Sequence, residues 1–307
     1  MLPPLRLRAA GFALAAVAAG WWPAQSVAEE PTPLRPVHSW AYQLQGANPT
    51  DIAASPFDLV VIDYSRDGTA KEAYRADEVQ LMQRKAGGGR RVVLSYLSIG
   101  EAEDYRFYWD ARWKTGSPAW LGPRNPDWPG NYKVRFWDPE WQALMFGRPE
   151  AYLDQIMASG FDGLYLDVID AYEYYQPGRP TAAADMVDFV LAVSAYAKSK
   201  NPDFLIFPQN GEALLKDPRY LAAIDGIGKE DLFYSGDANS HPSSEPELRD
   251  SLEQLRGVVA AGKLVLSVEY LTRREHIRAY RIQAAQAGFL TYVAARSLDA
   301  LIEQSKF

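Results

Sequence analysis

The stretch Leu59-Val60-Val61-Ile62, followed at once by Asp63, gives the clearest sign of the fold. Four consecutive apolar residues without polar alternation are typical of a parallel strand that is covered on both faces. Seven further runs resemble it, so eight strands are predicted along the chain. They span residues 38–44, 57–63, 91–97, 162–167, 204–207, 224–228, 264–269 and 289–293.

The alternation of these strands with helices predicts the fold class. Amphipathic segments separate most of the strands, at residues 71–86, 139–158, 182–199, 246–261 and 275–287. Eight βα units predict an α/β protein whose residues 37–307 form a single (β/α)8 barrel, or TIM barrel. The competing doubly wound sheet requires a glycine-rich turn after a strand, whereas Gly87-Gly88-Gly89 precedes one.

The first 28 residues have the features of a secretory signal peptide. Arg6 and Arg8 precede an apolar stretch at 9–22, and Ser26-Val27-Ala28 has the small-x-small pattern of a cleavage site. A membrane anchor is the alternative, but 14 apolar residues are too few to cross roughly 30 Å of hydrocarbon. We therefore expect cleavage after Ala28, export to the periplasm or the medium, a proline-rich lead-in at 29–36, and no membrane attachment afterwards.

Composition and charge limit the partners. The formal net charge is −7, and loss of two arginines with the signal peptide lowers it to −9. An acidic chain without a Lys/Arg run is a poor binder of nucleic acid, so its partners are expected to be neutral or cationic. The chain has no cysteine, which excludes disulfides, thiolate chemistry and cysteine-bound zinc. We expect a monomer.

Acidic residues recur where the predicted strands end. Asp63, Glu101, Asp167, Glu212, Glu230 and Glu269 end or follow strands two to seven. Since roughly one residue in eight is acidic, eight fixed positions should hold about one acid. Each acid taken alone has the alternative of capping a helix or pairing with a basic residue. As a set they predict an acidic cleft at the C-terminal mouth of the barrel, where crowded charges raise the pKa of a general acid.

Other chemistries find little support in the residues. His38, His241 and His276 lack metal-ligand spacing, so neither a metal site nor a cofactor is expected. The chain has no G-x-S-x-G elbow and no phosphate-binding Walker loop. Carboxylate chemistry remains, and two carboxylates about a glycosidic bond are the usual minimum for its hydrolysis.

The connection between strands three and four is unusually long and aromatic. Residues 98–138 contain Tyr105, Phe107, Tyr108, Trp109, Trp113, Trp120, Trp128, Tyr132 and Trp137. A long loop in a compact domain is usually functional. Two interpretations remain open: these rings form sugar-stacking subsites over the mouth, or they pack a small subdomain.

Four segments resemble glycoside hydrolase family 114 over nearly the whole mature chain. They are VIDYS at 61–65, LSIGEAE at 97–103, FDGLYLD at 161–167 and IDGIGKEDLFY at 224–234. The resemblance implies an endo-α-1,4-polygalactosaminidase, and similar domains act on galactosamine-rich exopolysaccharides of biofilms. The substrate implied is therefore an amino-sugar polysaccharide. Fungal members have Asp-Asn where this chain has Asp167-Val168.

The resemblance also implies roles for individual residues. The Asp that closes strand four and the Glu that closes strand six of the family match Asp167 and Glu230, which are thereby implied as the catalytic pair. By analogy with other α-glycosidase barrels, Asp167 is assigned as nucleophile and Glu230 as acid/base of a retaining reaction. The positions implied for substrate binding are Asp63, Tyr64, Glu101, Tyr165, Asn210, Glu212, Glu269 and Tyr270.

Three other functions stay open at this point. The barrel can be a non-catalytic carbohydrate-binding protein, a structural protein of the cell envelope, or a glycosidase that acts on another polymer. A structural protein predicts that Asp167→Asn and Glu230→Gln leave function intact.

Overall fold

The computed structural model describes residues 37–235 and 241–304. The predicted signal peptide and lead-in, residues 1–36, lie outside this part of the chain. Within it no helix is both long enough and apolar enough to cross a membrane.

Eight parallel strands form the central wall. In chain order the strands of the described residues are β1 Trp40–Gln43, β2 Leu59–Ile62, β3 Val92–Ser98, β4 Glu101–Glu103, β5 Leu121–Arg124, β6 Asn131–Val134, β7 Gly163–Asp167, β8 Leu205–Pro208, β9 Gly226–Glu230, β10 Tyr234–Ser235, β11 His241–Pro242, β12 Leu264–Glu269 and β13 Leu290–Val293. The wall runs β1-β2-β3-β7-β8 and continues as β9-β12-β13. Each of its eight strands overlaps one of the predicted strands.

Two junctions join these parts into the predicted (β/α)8 barrel. Between β8 and β9, Gln209 pairs in parallel with Gly228, and the Asn210 N–H donates to Gly228 O at 2.9 Å. Between β13 and β1, the Trp40 indole N–H donates to Leu290 O at 2.9 Å. All eight strands therefore point their C-terminal ends to one mouth.

Helices cover the outside of this wall. Those of the described residues are α1 Pro49–Ala54, α2 Ala76–Met82, α3 Pro139–Met145, α4 Tyr152–Ala158, α5 Ala171–Tyr175, α6 Ala182–Lys200, α7 Pro218–Ala223, α8 Glu245–Ala260 and α9 Arg274–Ala287, with 3-10 turns at Ala70–Glu72 and Glu212–Lys216. Three helices share one local start, since Asn48, Asp138 and Asp217 each cap a helix whose first residue is proline. Their side-chain oxygens accept backbone N–H groups that the helix leaves unpaired, and proline needs no such partner.

Aromatic rings fill the barrel interior, and two glycines of β9 leave room for them. Trp40 and Tyr42 of β1 pack against Tyr165 of β7, with ring centroids 6.5 and 5.2 Å apart. On β9, a Cβ at Gly228 would lie 1.9 Å from the Tyr165 hydroxyl oxygen, and one at Gly226 would lie 2.1 Å from a ring carbon of Phe207. Glycine is therefore required at both positions for the large rings to fit.

Residues 101–134, which we call the insert, form a small antiparallel sheet of order β4-β6-β5. Its aromatic rings mostly pack against one another and onto α3. Trp120 is 2% exposed and lies 5.0 Å from both Trp113 and Trp141, measured between ring centroids. Trp128, 57% exposed, and Tyr105, 43% exposed, are the exceptions. The second interpretation of the aromatic connection, a packed subdomain, thus describes most of these rings.

Candidate active site

Side chains from five neighbouring strands converge at the mouth. Tyr96, Asp167, Gln209, Glu230 and Tyr270 lie on or directly after β3, β7, β8, β9 and β12, in the order of the wall. Because alternate residues of a strand face opposite sides, each of these positions belongs to the set that faces the barrel axis. The fold thus brings residues that are up to 174 positions apart, from 96 to 270, into one hydrogen-bonded group.

Asp167 and Glu230, which we call the carboxyl pair, share one donor. The Gln209 side-chain nitrogen Nε2 donates to Asp167 Oδ1 at 2.9 Å and to Glu230 Oε1 at 3.1 Å. Two oxygens bound to the same nitrogen at these lengths are separated by at most about 6 Å. The sequence-predicted pair is therefore close enough to act on one linkage.

Asp167 is surrounded by neutral donors. Its Oδ2 accepts the Tyr96 hydroxyl at 2.7 Å, and its Oδ1 accepts the Val168 N–H at 2.7 Å besides the amide of Gln209. Burial, and after it the charge of Glu230, raise the pKa of Asp167 to about 7, although the hydrogen bonds act in the opposite direction. The carboxyl pair therefore carries one proton near neutral pH.

Glu230 is held in a similar manner. Its Oε2 accepts the Tyr270 hydroxyl at 2.8 Å, and its Oε1 accepts the side-chain amide of Asn210 at 3.2 Å. The Glu230 N–H donates back to Asn210 Oδ1 at 3.3 Å. Within the described residues no lysine or arginine forms an ion pair with either member of the carboxyl pair, and the nearby Arg296, which pairs with Asp231, interacts electrostatically with Glu230.

The backbone turns sharply directly after three of these strand ends. Val168, Asn210 and Asp231 have φ angles of 57°, 59° and 51°. Residues other than glycine rarely adopt this left-handed region. For the β-branched Val168 this conformation is the most costly of the three. The neighbouring strand ends β7, β8 and β9 thus carry local strain where the carboxyl pair and Gln209 project.

An open cleft of about 790 Å³ begins at Glu230 and extends to α8. Its size lies in the range of small-molecule binding pockets. Seven acids and two lysines line it: Asp170, Glu173, Glu212, Glu230, Asp231, Asp250 and Glu253, with Lys216 and Lys229. Glu212, predicted for the cleft, lies here and pairs with Lys229 Nζ at 3.1 Å. The cleft is therefore predominantly acidic.

Asp63 and Tyr64 lie elsewhere, in what we call the Arg106 cluster. The Arg106 guanidinium pairs with Asp63 at 2.8 Å and with Glu103 at 2.6 Å, and its side chain is 1% exposed. Tyr64 contributes a ring 5.9 Å from the guanidinium carbon. Asp63 is thus paired with a buried cation of the insert and lies apart from the carboxyl pair.

Glu101 and Glu269 serve the scaffold as well. Glu101 accepts hydrogen bonds from Asn125, Asn131 and Lys133 of the insert, at 2.8, 3.1 and 3.1 Å. Glu269 is fully buried and accepts the Phe233 N–H at 2.7 Å. Its neighbour Tyr270 faces the mouth, so the Glu269 side chain faces the helix layer. Of the expected binding residues, Tyr165, Asn210 and Tyr270 lie nearest to the carboxyl pair.

Two residues of the site were missed in the sequence. Gln209 and Tyr96 are neutral, and a search for acids passes over them. A count of alternate residues would have found Gln209, which lies two positions after the inward-facing Phe207 and directly follows β8. Among residues 37–235 and 241–304 no three His, Cys, Asp or Glu side chains are placed to hold a metal ion.

Two close carboxyl groups at the C-terminal mouth of a (β/α)8 barrel, one of them beside an acidic cleft, form the kind of arrangement that glycoside hydrolases use. The model of glycoside hydrolase family GH114 matches residues 20–306, and the chain belongs to this family. The resemblance seen in the sequence is thereby confirmed.

The chain is also similar to proteins of other organisms and, in fold, to a solved structure. An uncharacterized protein of Deinococcus radiodurans is 41% identical over 298 residues, 93% of this chain and 92% of the relative. One of Thermotoga maritima is 40% identical over 86% of this chain and 82% of its own length. The glycoside hydrolase domain of PelA from Pseudomonas aeruginosa is similar in fold, with a TM-score of 0.64, 19% identity, and coverage of 87% of this chain and 98% of that domain.

Proposed function

We propose that this glycosidase cleaves α-1,4-linked galactosamine and N-acetylgalactosamine polysaccharides internally, with Asp167 and Glu230 as its catalytic pair. The observation that carries the proposal is the Gln209 amide nitrogen, which donates to both carboxyl groups at 2.9 and 3.1 Å. A glycosidic bond that lies over this amide is in reach of both carboxyls.

The reaction takes two steps. Asp167 attacks the anomeric carbon while Glu230 donates a proton to the leaving oxygen, which breaks the glycosidic bond and forms a glycosyl ester on Asp167. Glu230 then removes a proton from water, whose oxygen displaces Asp167 from the anomeric carbon. Retaining enzymes have carboxyls about 5–5.5 Å apart and inverting enzymes about 6.5–9.5 Å. The two oxygens that Gln209 binds are at most about 6 Å apart, below the range of inverting enzymes, which favours retention.

The protonation state suits this chemistry. A retaining glycosidase begins with one carboxylic acid and one carboxylate. The carboxyl pair holds one proton near neutral pH because burial and the charge of Glu230 raise the pKa of Asp167 to about 7. The reaction therefore begins when this proton passes from Asp167 to Glu230, which leaves Asp167 ionised and gives Glu230 the proton that the leaving oxygen needs.

The charge of the cleft supports an amino-sugar substrate. Deacetylated galactosamine units are ammonium ions at neutral pH, and seven acids against two lysines line the space beside Glu230. The cleft is open to solvent, as the binding of a long polysaccharide requires. Export after signal-peptide cleavage would place a monomeric enzyme where such polymers occur.

The direct test is the release of reducing ends from partially deacetylated poly-α-1,4-galactosamine. We expect Glu230→Gln and Asp167→Asn each to lose at least about a hundredfold in rate with folding preserved, as removal of an acid/base or nucleophile requires. Asp188→Asn is the matched control, since Asp188 lies in an exposed ion pair with Arg219. Binding without turnover by the wild type would identify a carbohydrate-binding barrel and end the proposal.

Salt tests the charge argument separately. Because exposed charges are screened within about 8 Å at physiological ionic strength, hydrolysis of the deacetylated polymer should weaken as salt rises. The fully acetylated polymer should respond less. Equal rates on both polymers at every ionic strength would contradict an electrostatic role for the cleft.

A further inference from the structure

Gln209 is held rigidly at the centre of the mouth. Its N–H donates to Leu166 O of β7 at 2.7 Å, and its backbone pairs with Gly228 of β9. Gln209 is buried, with 3% of its surface exposed. Two neighbouring strands therefore fix the backbone from which the amide extends.

The amide of Gln209 uses both of its hydrogens on the carboxyl pair. An NH2 group has two hydrogens, and the two contacts from Nε2, to Asp167 and to Glu230, account for both. The side-chain oxygen Oε1 is buried and accepts no hydrogen bond within the described residues. A flipped amide would place this oxygen against two carboxyl groups and lose both bonds, so the orientation follows from the network.

The proposed reaction moves one negative charge across this amide. Asp167 loses its charge when its oxygen forms the bond to the anomeric carbon, and Glu230 gains a charge when its proton leaves. The second step reverses both changes. The total charge of the carboxyl pair is therefore the same in the reactive form, which has its proton on Glu230, and in the glycosyl ester, while its location changes from one side of Gln209 to the other.

We infer that Gln209 is a positioning residue, which holds the two carboxyl groups at reaction distance and stays bonded to whichever one carries the charge. This inference rests on the proposed function. A donor that is already in place on both sides needs no reorganisation as the charge moves, which is how fixed dipoles lower a barrier. Asn210 and Tyr270 donate to Glu230, and Tyr96 donates to Asp167. Among the described side chains, Gln209 is the one that donates to both.

The test replaces Gln209 with methionine, which has a similar length and no N–H donor. We expect kcat to fall about tenfold to a hundredfold with KM within a factor of about three, because the lost donors act on the transition state. Both limbs of the pH profile should move to higher pH, since fewer donors stabilise the ionised carboxyls. A mainly structural role would lower the amount of folded protein without moving the profile.

Gln83→Met is the matched control. The Gln83 amide nitrogen also donates to two acceptors, Gly160 O at 2.8 Å and Asp162 Oδ1 at 3.2 Å. Asp162 precedes β7, so this bridge lies at the opposite end of the barrel. Gln83→Met should keep the pH profile of the wild type. Gln209→Glu is a second variant that keeps the shape of the side chain, and the added carboxyl should move the profile in the same direction.

A titration of the carboxyl pair, followed by NMR on protein with 13C-labelled Asp and Glu, separates this inference from the proposed function. Higher apparent pKa values of the pair in Gln209→Met, with lower kcat, support the inference. Unchanged pKa values, or a kcat equal to that of the wild type, overturn it. A wild-type enzyme that releases no reducing ends from the polymer overturns the proposed function, and the titration then still decides whether Gln209 holds the pair.

Discussion

The two sides of the barrel mouth hold their carboxyl groups in different ways. On the side of β7 and β9, Asp167 and Glu230 contact neutral amides and hydroxyls. On the side of β2 and the insert, cations pair with the buried acids: the buried Arg106 with Asp63 and Glu103, and the half-buried Lys133 with Glu101. A buried cation balances an acid and ties it to the fold, whereas neutral donors leave its charge for a substrate. The type of partner therefore separates Asp63, Glu101 and Glu103 from the carboxyl pair.

The strongest test of this contrast removes the cation. Arg106→Met leaves Asp63 and Glu103 buried without a balancing charge, which should cost roughly 3–5 kcal/mol of unfolding free energy. Urea denaturation measures the loss. Arg219→Met is the control, because its pairs with Asp188 and Asp217 are exposed and should contribute at most about 1 kcal/mol. Equal losses in the two variants would mean that burial of the cation is irrelevant.

A smaller effect is expected on the neutral side. Tyr270→Phe removes one donor at 2.8 Å from Glu230 and keeps the ring. We expect kcat to fall about tenfold, the size of one hydrogen bond to a charged group, and the unfolding free energy to change by less than about 1 kcal/mol. Steady-state kinetics and denaturation on the same sample give both numbers. A loss of stability without a loss of rate would assign Tyr270 to the scaffold.

The smallest effect on activity is expected at Glu269, which faces the helix layer. Burial raises the pKa of Glu269 to about 8, so the folded protein binds this proton more tightly than the unfolded chain. Its contribution to stability is complete in acid and is lost as pH rises through about 8. Glu269→Gln should keep the rate at pH 7 within about twofold, because the replaced group is already uncharged.

The same variant should also flatten the fall of Tm between pH 6 and pH 9, by several degrees according to the usual relation between free energy and Tm. Thermal unfolding at the two pH values checks this. A variant that loses as much Tm as the wild type would show that another group titrates there. Asp167, whose pKa is also raised, contributes to the fall in both proteins and does not cancel the difference.

The strands were predictable from sequence because a wall that is buried on both faces needs uninterrupted apolar runs. The direction of each side chain at the strand ends was harder. Asp167 and Glu230 share the inward parity of Tyr165 and Gly228, and the structure brings them together. Glu269 has the opposite parity from Tyr270 and faces the helix layer. Its position at a strand end alone did not reveal this direction.

The partners of Glu101 and Asp63 are distant in the sequence, so local sequence patterns do not predict them. Glu101 belongs to β4, whose partner strand β6 begins 30 residues later, and nothing in the run 97–103 predicts that pairing. The same holds for Asp63, since Arg106 follows it by 43 positions. Six acids were expected to line the cleft. Two of them, Asp63 and Glu101, pair instead with Arg106 and Lys133 of the insert.

Gly226 and Gly228 of β9 also prevent this strand from pairing in a wrong register. A slip of one residue against its neighbours would turn Lys229 inward and Glu230 outward. A slip of two residues keeps the parity but forces either Ile224 against Phe207 or Glu230 against Tyr165, where even a single carbon does not fit. Of these three registers, only the observed one fits the closed wall. In this register Glu230 faces the barrel mouth even when no substrate is bound.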